Sequence, residues 1–594
     1  MKKLVAIVLA AMLLMTGCST KAPEATGGMK AGTYKATAAG FHGDITLEVT
    51  VDAEKITDIQ ILEQTETEGI GAAALPELVT KVLDNQTLGI DGISGATVTS
   101  NGFKTAMEDA LTQAGADMDK MTKPVESSSA TKEEVTLDAD IVVVGGGAAG
   151  LTAALSSQQN GNSVILLEKT GVVGGASAMA GAGTMATGSQ WQKEDGYEDS
   201  PEQLKADMLK NGHNNNDEAT LDIYVNTTGA AFDWLVSEDG ANVPYQRDGK
   251  PTRSYSGQGR GAGVVSSLSE SFTTGGGTLM TNTPATELIV EDGVVKGVKA
   301  SDETKNYTIN AKAVILATGG FGANDAMVPE EYKQFVYAGH AGATGDGLKM
   351  AGAVNADTFN MEFVNTQPNS MILPSGLGQY CNPGVGGAYT ASGAFLVNQD
   401  GVRFSNEKGN AWDLMQDMKK NTAQYLIMDQ ASFDAFNKGM TGSKIYSEED
   451  VEKWLANDGE GNPFMVKADT LEDLAKKMNL PEGVLTETAA KYNETAAAGG
   501  TDEFGRELTA PLSAEGPYYA LQQYIRYYAT LGGLRINDSM QVLNAEKQPV
   551  EGLYAAGEVV GGLEGDVYMG ATLFGWAVTS GYNAGNAASE AIAK

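Results

Sequence analysis

The sequence predicts an α/β protein in which a large Rossmann-like unit follows a small α+β unit. Three observations predict it. Residues 139–144 make a short apolar strand that runs straight into Gly145-Gly146-Gly147-Ala148-Ala149-Gly150 and then a helical pattern. Upstream, Ile45, Leu47, Val49 and Val51 alternate with Thr46, Glu48 and Thr50, the period of a half-buried strand. Between the two lies a polar stretch with Ser127-Ser128-Ser129 at its middle, which reads as a linker. A chain of 594 residues has room for two or more domains.

From the start, Lys2 and Lys3 precede an apolar run over residues 4–15. A membrane-spanning helix needs about 20 apolar residues, so this run suits the core of a signal peptide instead. It ends in Met15-Thr16-Gly17-Cys18, which resembles a bacterial lipoprotein cleavage box. The expectation is a signal peptide at 1–17, lipid on Cys18, and a mature chain outside the cytoplasm, anchored to the bacterial cell membrane. Residues 18–28 are polar and small and read as a tether. The small unit is placed at 29–116, where Ile59 and Ile61 continue the strand pattern and helices are predicted over 76–83 and 102–113. The linker is placed at 117–136.

Composition narrows the chemistry. A formal net charge of -35 argues against nucleic acid, which needs a basic face. With three histidines and two cysteines, Cys18 and Cys381, no disulfide framework, iron–sulfur cluster or histidine-held metal is expected. Redox chemistry in this chain must come from an organic cofactor.

The large unit begins at 137. In its glycine loop, Gly145 makes the tight turn, Gly147 lets the backbone approach a pyrophosphate, and Gly150, next to Ala149, packs helix on strand. The helix N-terminus then meets the negative charge. A second strand over 163–167 ends at Glu168, where an acid can hold a ribose hydroxyl pair. After Lys169, a second small-residue loop contains Gly174-Gly175-Ala176-Ser177 and Gly181-Ala182-Gly183, narrow enough for a flavin ring to lie against backbone. Two further buried strands end in Ala317-Thr318-Gly319-Gly320 and in Ala555-Ala556-Gly557-Glu558.

These four segments, with Thr344-Gly345-Asp346-Gly347, resemble the FAD domain of the soluble fumarate reductase and urocanate reductase group, within the succinate dehydrogenase flavoprotein superfamily. The resemblance implies non-covalent FAD, with Glu168 on the adenosine ribose, Glu558 on the ribityl side and Ser177 near the ring. Lys169, Ala285, Gly345, Asp346, Thr572 and Leu573 would complete the cradle. It also implies a capping domain, placed at 375–505, inserted between FAD-domain parts at 137–374 and 506–594.

In the small unit, Asp91-Gly92-Ile93-Ser94-Gly95-Ala96-Thr97-Val98-Thr99 resembles the flavinylation motif of FMN-binding domains, including those of sodium-pumping quinone reductases. The resemblance implies a flavin transferase that joins FMN to a threonine hydroxyl as a phosphodiester. Thr99 is preferred over Thr97, and an exposed hydroxyl beside the small Gly95 and Ala96 is expected. Electrons would arrive from a membrane quinone- or flavin-based donor.

Members of the group pass hydride from FAD to one carbon of an activated C=C bond while an arginine protonates the other. Residues 396–407 read as a hairpin with Asp400-Gly401 in the turn, and Arg403 matches that arginine. Other positions depart. Tyr568 stands where fumarate-type members carry a clamping arginine, and Tyr527-Tyr528 precede the Thr530-Leu531-Gly532-Gly533 stretch in place of a histidine. Histidine is also absent near Gln367-Pro368-Asn369, and the usual relay Glu and Arg align with Gly387 and Thr390. Tyrosines suit a ketone, amide or aromatic group better than a dicarboxylate. The expected substrate is an α,β-unsaturated carbonyl compound, an enoate or enone other than fumarate, handled by Arg403, Tyr568 and Tyr528. Arg253, Arg260, Arg526 and Arg535 are further candidates for a carboxylate clamp. Two alternatives stand beside this oxidoreductase of CH–CH bonds: a flavolipoprotein that relays electrons without reducing a small molecule, and a ketosteroid-type dehydrogenase.

Overall fold

The computed structural model describes residues 28–594 except 42, 67–70, 94–95, 125–131, 375 and 443–445. The leader, Cys18 and nearly all of the tether lie outside the described residues.

In the small unit, strands Gly32–Ala39, Asp44–Val51 and Ile56–Glu63 form an antiparallel sheet in sequence order. Ile45, Leu47 and Val49 turn inward as the alternation predicts. Helices Gly71–Asn85 and Thr97–Gln113 cover that face. Both start earlier than predicted. The buried stripe Leu75, Leu78 and Val82 holds the first helix together through Pro76, so packing outweighs the lost backbone donor. The linker is shorter than expected. Met118–Met121 is a turn of helix, Met118 and Met121 pack on the small unit's core, and Leu88 N donates to Met121 O at 2.6 Å.

The large unit is built on strand Glu133–Val144, which starts before residue 137 because its first half pairs with strand Lys305–Leu316. Val164–Leu167 and Pro549–Ala555 join the same parallel sheet. Their apolar segments, 141–144, 164–167 and 313–316, are buried on both faces, as continuous apolar runs require.

The cap closes later in the chain than predicted. Its strands Phe395–Asn398, Gln424–Asp429 and Met465–Ala468 belong to a sheet with the long strand Tyr518–Thr530. Residues 518–523 of that strand pair with the cap, while 524–530 pair with Val364–Ile372. One strand therefore belongs to both the cap and the FAD domain, and no boundary falls at 505. The predicted hairpin over 396–407 is also corrected. The Asp400-Gly401 turn forms, with Gly401 at φ +79° and its N–H donating to Asn398 O at 3.0 Å. No second arm follows, because the Glu407 carboxylate takes the Leu396 N–H at 2.9 Å. Within the cap, helix Leu471–Lys477 is capped by Thr470, whose hydroxyl accepts from Asp473 N at 3.1 Å.

The small unit docks on the large one. Ala178 and Ala262 complete the small unit's apolar core, and Asn282 Nδ2 donates to Glu77 Oε1 at 3.5 Å. A Cβ on Gly171 would lie 3.2 Å from the Ile93 side chain.

Candidate active site

The glycine loop adopts the geometry its sequence demands. Gly145 has φ +110°, and a Cβ there would strike Ala317 O at 2.3 Å. A Cβ on Gly150 would sit 1.8 Å from Gly145 O, so helix Ala148–Gln159 can approach the strand only with glycine there. Gly147 caps that helix, and Ser177 Oγ accepts from Ala148 N at 3.1 Å, which brings the second loop against the first. Glu168 is nearly buried. It accepts from Gly146 N and from Thr170 N, each at 2.8 Å, and so fixes the loop that a pyrophosphate would meet.

Gly175, Gly181 and Gly319 have nothing within 4 Å of a would-be Cβ, and the buried Thr318 Oγ1 has no partner. Open space along small-residue loops and an orphaned hydroxyl fit a flavin dinucleotide. Gly183 lies against Ala571, and Leu573 follows it, half buried, in the C-terminal helix Thr572–Ile592. Ala285 begins strand Ala285–Glu291, Ala176 is exposed, and Ala149 is buried beside Gly557. Lys169 reaches Asp346, which heads the short helix after Gly345, at 2.6 Å. Glu558 accepts from Thr530 N at 2.8 Å, and burial raises its pKa.

At the small unit's motif, Thr99 is 2% exposed and donates to Glu66, which also accepts from Phe41 N at 2.7 Å. The expectation of an exposed Thr99 hydroxyl is therefore wrong: the side chain turns inward from the helix's first turn. Thr97 heads that helix.

The two tyrosines come together. Burial and the proximity of Tyr528 and Glu564 raise the pKa of Tyr568, and its hydroxyl accepts from Ala571 N at 3.0 Å. Tyr528 lies beside Asn365 and Tyr380, and its ring is 4.8 Å from the Arg526 guanidinium. Glu564 sits beneath them. Burial pushes its carboxyl up to about 8, against hydrogen bonds from Thr572 and from Met569 N, the latter 3.1 Å.

Arg403 is not part of this cluster. It is 7% exposed in the cap, forked onto Glu407 at 2.8 and 3.0 Å and paired with Asp502 at 2.7 Å. Glu407 is shared with Arg506 at 3.0 Å. Helix Asn382–Ala391 separates the two groups, with Cys381 at its head beside Arg526 and Tyr389 near its end under Arg506. Eight residues of helix span about 12 Å.

The FAD binding domain family matches residues 140–572, and the FMN-binding domain family matches residues 40–112. The urocanate reductase of Eggerthella lenta is 32% identical over 571 residues, covering 92% of this chain and 91% of that protein. A cytochrome-type fumarate reductase of Shewanella frigidimarina is 32% identical over 447 residues, 72% of this chain and 73% of the other. The chain belongs to the fumarate reductase/urocanate reductase family of FAD-dependent oxidoreductases. Among solved structures, the open conformation of a flavocytochrome c3 fumarate reductase superposes with a TM-score of 0.63 at 26% identity, covering 80% of this chain and 81% of that one. Like its family, this protein is an oxidoreductase acting on CH–CH bonds, with an FMN-binding domain ahead of the FAD domain.

Membership does not account for every residue at the site. Glu407 closes the stretch that reads as a hairpin, and nothing in that reading pairs it with Arg403. Asp502, Arg506 and Glu66 carry no spacing signal, because they reach their partners only through the tertiary fold. Glu564 sits in the stretch whose tyrosine drew attention, and only burial reveals its character.

Proposed function

We propose that this protein is an exported, lipid-anchored reductase that saturates the C=C bond of an α,β-unsaturated carbonyl compound other than fumarate. The carrying observation is the cluster of Tyr528, Tyr568, Asn365 and Arg526 beside the Gly183–Ala571 contact of the FAD cradle. Tyrosine hydroxyls can hold a carbonyl oxygen, and their rings can flank a flat substituent. The names of the relatives, urocanate reductase and fumarate reductase, support the reaction class. Bound FAD supplies the hydride, and FMN on the small domain supplies electrons collected from a membrane quinone- or flavin-based donor. Docking of Ile93 against the loop at Gly171 supports that order, since it puts the motif of the small domain next to the cradle of the large one.

Arg403 keeps the role of proton donor in this reading. Likeness to an open flavocytochrome supports a cap that stands open here and carries Arg403 toward the tyrosines as it closes. An arginine stays charged, so its positive charge also favours the developing enolate. Covalent FMN is assigned to Thr97 rather than Thr99, because a transferase cannot reach a hydroxyl turned inward onto Glu66. Cys18 is the lipid site.

Anaerobically reduced holoprotein, mixed with a panel of enoates and enones, should be reoxidised by at least one of them and not by fumarate. Reoxidation by none would leave an electron carrier. Arg403→Ala should bind the accepted compound and fail to turn it over. Mass spectrometry of the 91–104 peptide from protein matured with a flavin transferase should show FMN on Thr97, lost in Thr97→Ala and kept in Thr99→Ala.

A further inference from the structure

Arg526 is a buried cation without a counter-ion. It lies on the half of strand Tyr518–Thr530 that pairs with Val364–Ile372, opposite Gln367. Only 9% of it is exposed, its Nε has no hydrogen-bond partner, and no ion pair reaches it among the described residues. The other inward-facing arginines are matched: Arg253 with Asp199 and Asp207, Arg535 with Asp217 and Asp357, Arg403 and Arg506 with Glu407. An uncompensated buried charge costs several kcal/mol. A protein keeps one where a ligand brings the opposite charge.

The surroundings supply none. The Cys381 thiol is pushed up to about 12 by burial and stays neutral. Burial pushes the nearby Glu564 carboxyl to about 8, so it holds its proton at neutral pH. What the surroundings do supply is unsatisfied polarity and flat apolar walls. Asn365 Nδ2, Asn369 Oδ1 and Gln523 Oε1, on the same two strands, are buried without partners. The rings of Tyr380 and Tyr528 lie 5.0 and 4.8 Å from the guanidinium carbon. Tyr380 is 37% exposed and so stands at the edge of the pocket.

We propose that Arg526 receives the carboxylate of the substrate and that Tyr380 and Tyr528 flank its ring, so that the substrate is an aryl-substituted unsaturated acid and not a neutral ketone. This rests on the C=C reductase reading and narrows it. A carboxylate fits a guanidinium with two parallel charge-assisted hydrogen bonds, and an amide or ketone of the same shape offers no charge to pair. The tyrosines that depart from the fumarate-type pattern then select for the ring, while the acid group is read by an arginine from a different strand.

Calorimetric titration of the oxidised holoenzyme with cinnamate, cinnamamide and benzalacetone reads binding without turnover. Cinnamate should bind about 30-fold or more tightly than either neutral compound, the scale of a charged hydrogen-bonded contact. Arg526→Gln should abolish that preference and Arg526→Lys should keep part of it, at unchanged FAD content. Urocanate, 4-hydroxycinnamate and fumarate extend the acid series, and the ring-bearing acids should bind more tightly than fumarate. Equal affinity of the wild-type protein for acid and amide overturns the proposal without recourse to any variant, and so does binding of none of the acids. A preference that survives in Arg526→Gln overturns it as well. Acids that bind through Arg526 yet never reoxidise the reduced flavin would instead sink the reductase reading and leave the anion site standing.

Discussion

Glu564 shows how a single residue's environment sets its chemistry. Its Oε2 accepts from Met569 N at 3.1 Å, and its Oε1 touches a Thr572 hydroxyl that also faces Met569 O. One hydroxyl proton cannot serve two acceptors, so a protonated Glu564 donating to Thr572 satisfies all three groups. Folded, the carboxyl holds its proton up to about pH 8, whereas its ordinary value is 4.5. Between those values the unfolded chain has released a proton that the folded chain retains, so stability falls as pH rises across the window. Glu564→Gln keeps the neutral form at every pH. Its stability relative to wild type should rise between pH 5 and pH 8 by roughly 3–5 kcal/mol and then level off, as read from denaturant unfolding at a series of pH values. A difference independent of pH would mean that the carboxyl is already ionised in the fold.

Among the elements, the strand–loop–helix of the cradle has the least tolerance. Gly150→Ala would put a Cβ 1.8 Å from Gly145 O, and neither backbone can yield without opening the helix from the sheet. The expected outcome is protein that folds with much reduced FAD content, measured as flavin released per chain. The turn at Asp400-Gly401 and the segment after it form a second such element. There the cap is fastened by Arg403, Glu407, Asp502 and Arg506. Arg403→Ala would strand two buried carboxylates and should lower stability by about 3–5 kcal/mol, whereas Arg403→Lys should lose less. Because both variants also remove the proposed acid, turnover should fall far below what the loss of folded protein explains.

For the whole molecule, the contact between the two units matters most. Ala178 belongs to the loop that carries Ser177, yet its methyl packs into the small unit's core. Ala178→Glu should pry the units apart without unfolding either. Rapid-mixing absorbance should then show the small domain's flavin reduced at its usual rate and the large domain's flavin reduced much more slowly. Unchanged rates would mean that electrons travel between separate chains.

How much of this was legible in the sequence follows from the range of the forces involved. Local rules were enough for the glycine loop and the alternating strand over 45–51, because each depends on backbone sterics or on neighbours a few residues away. The family motifs identified the flavin domains for the same reason: tight turns around a fixed cofactor leave few choices of residue. Tertiary structure alone decided that Thr99 faces Glu66, that strand Tyr518–Thr530 is shared by cap and core, and that Arg403 is held by Asp502. It also decided which of four candidate arginines is buried without a counter-ion. Charge pairing and desolvation depend on which distant segments meet, and no spacing along the chain encodes that.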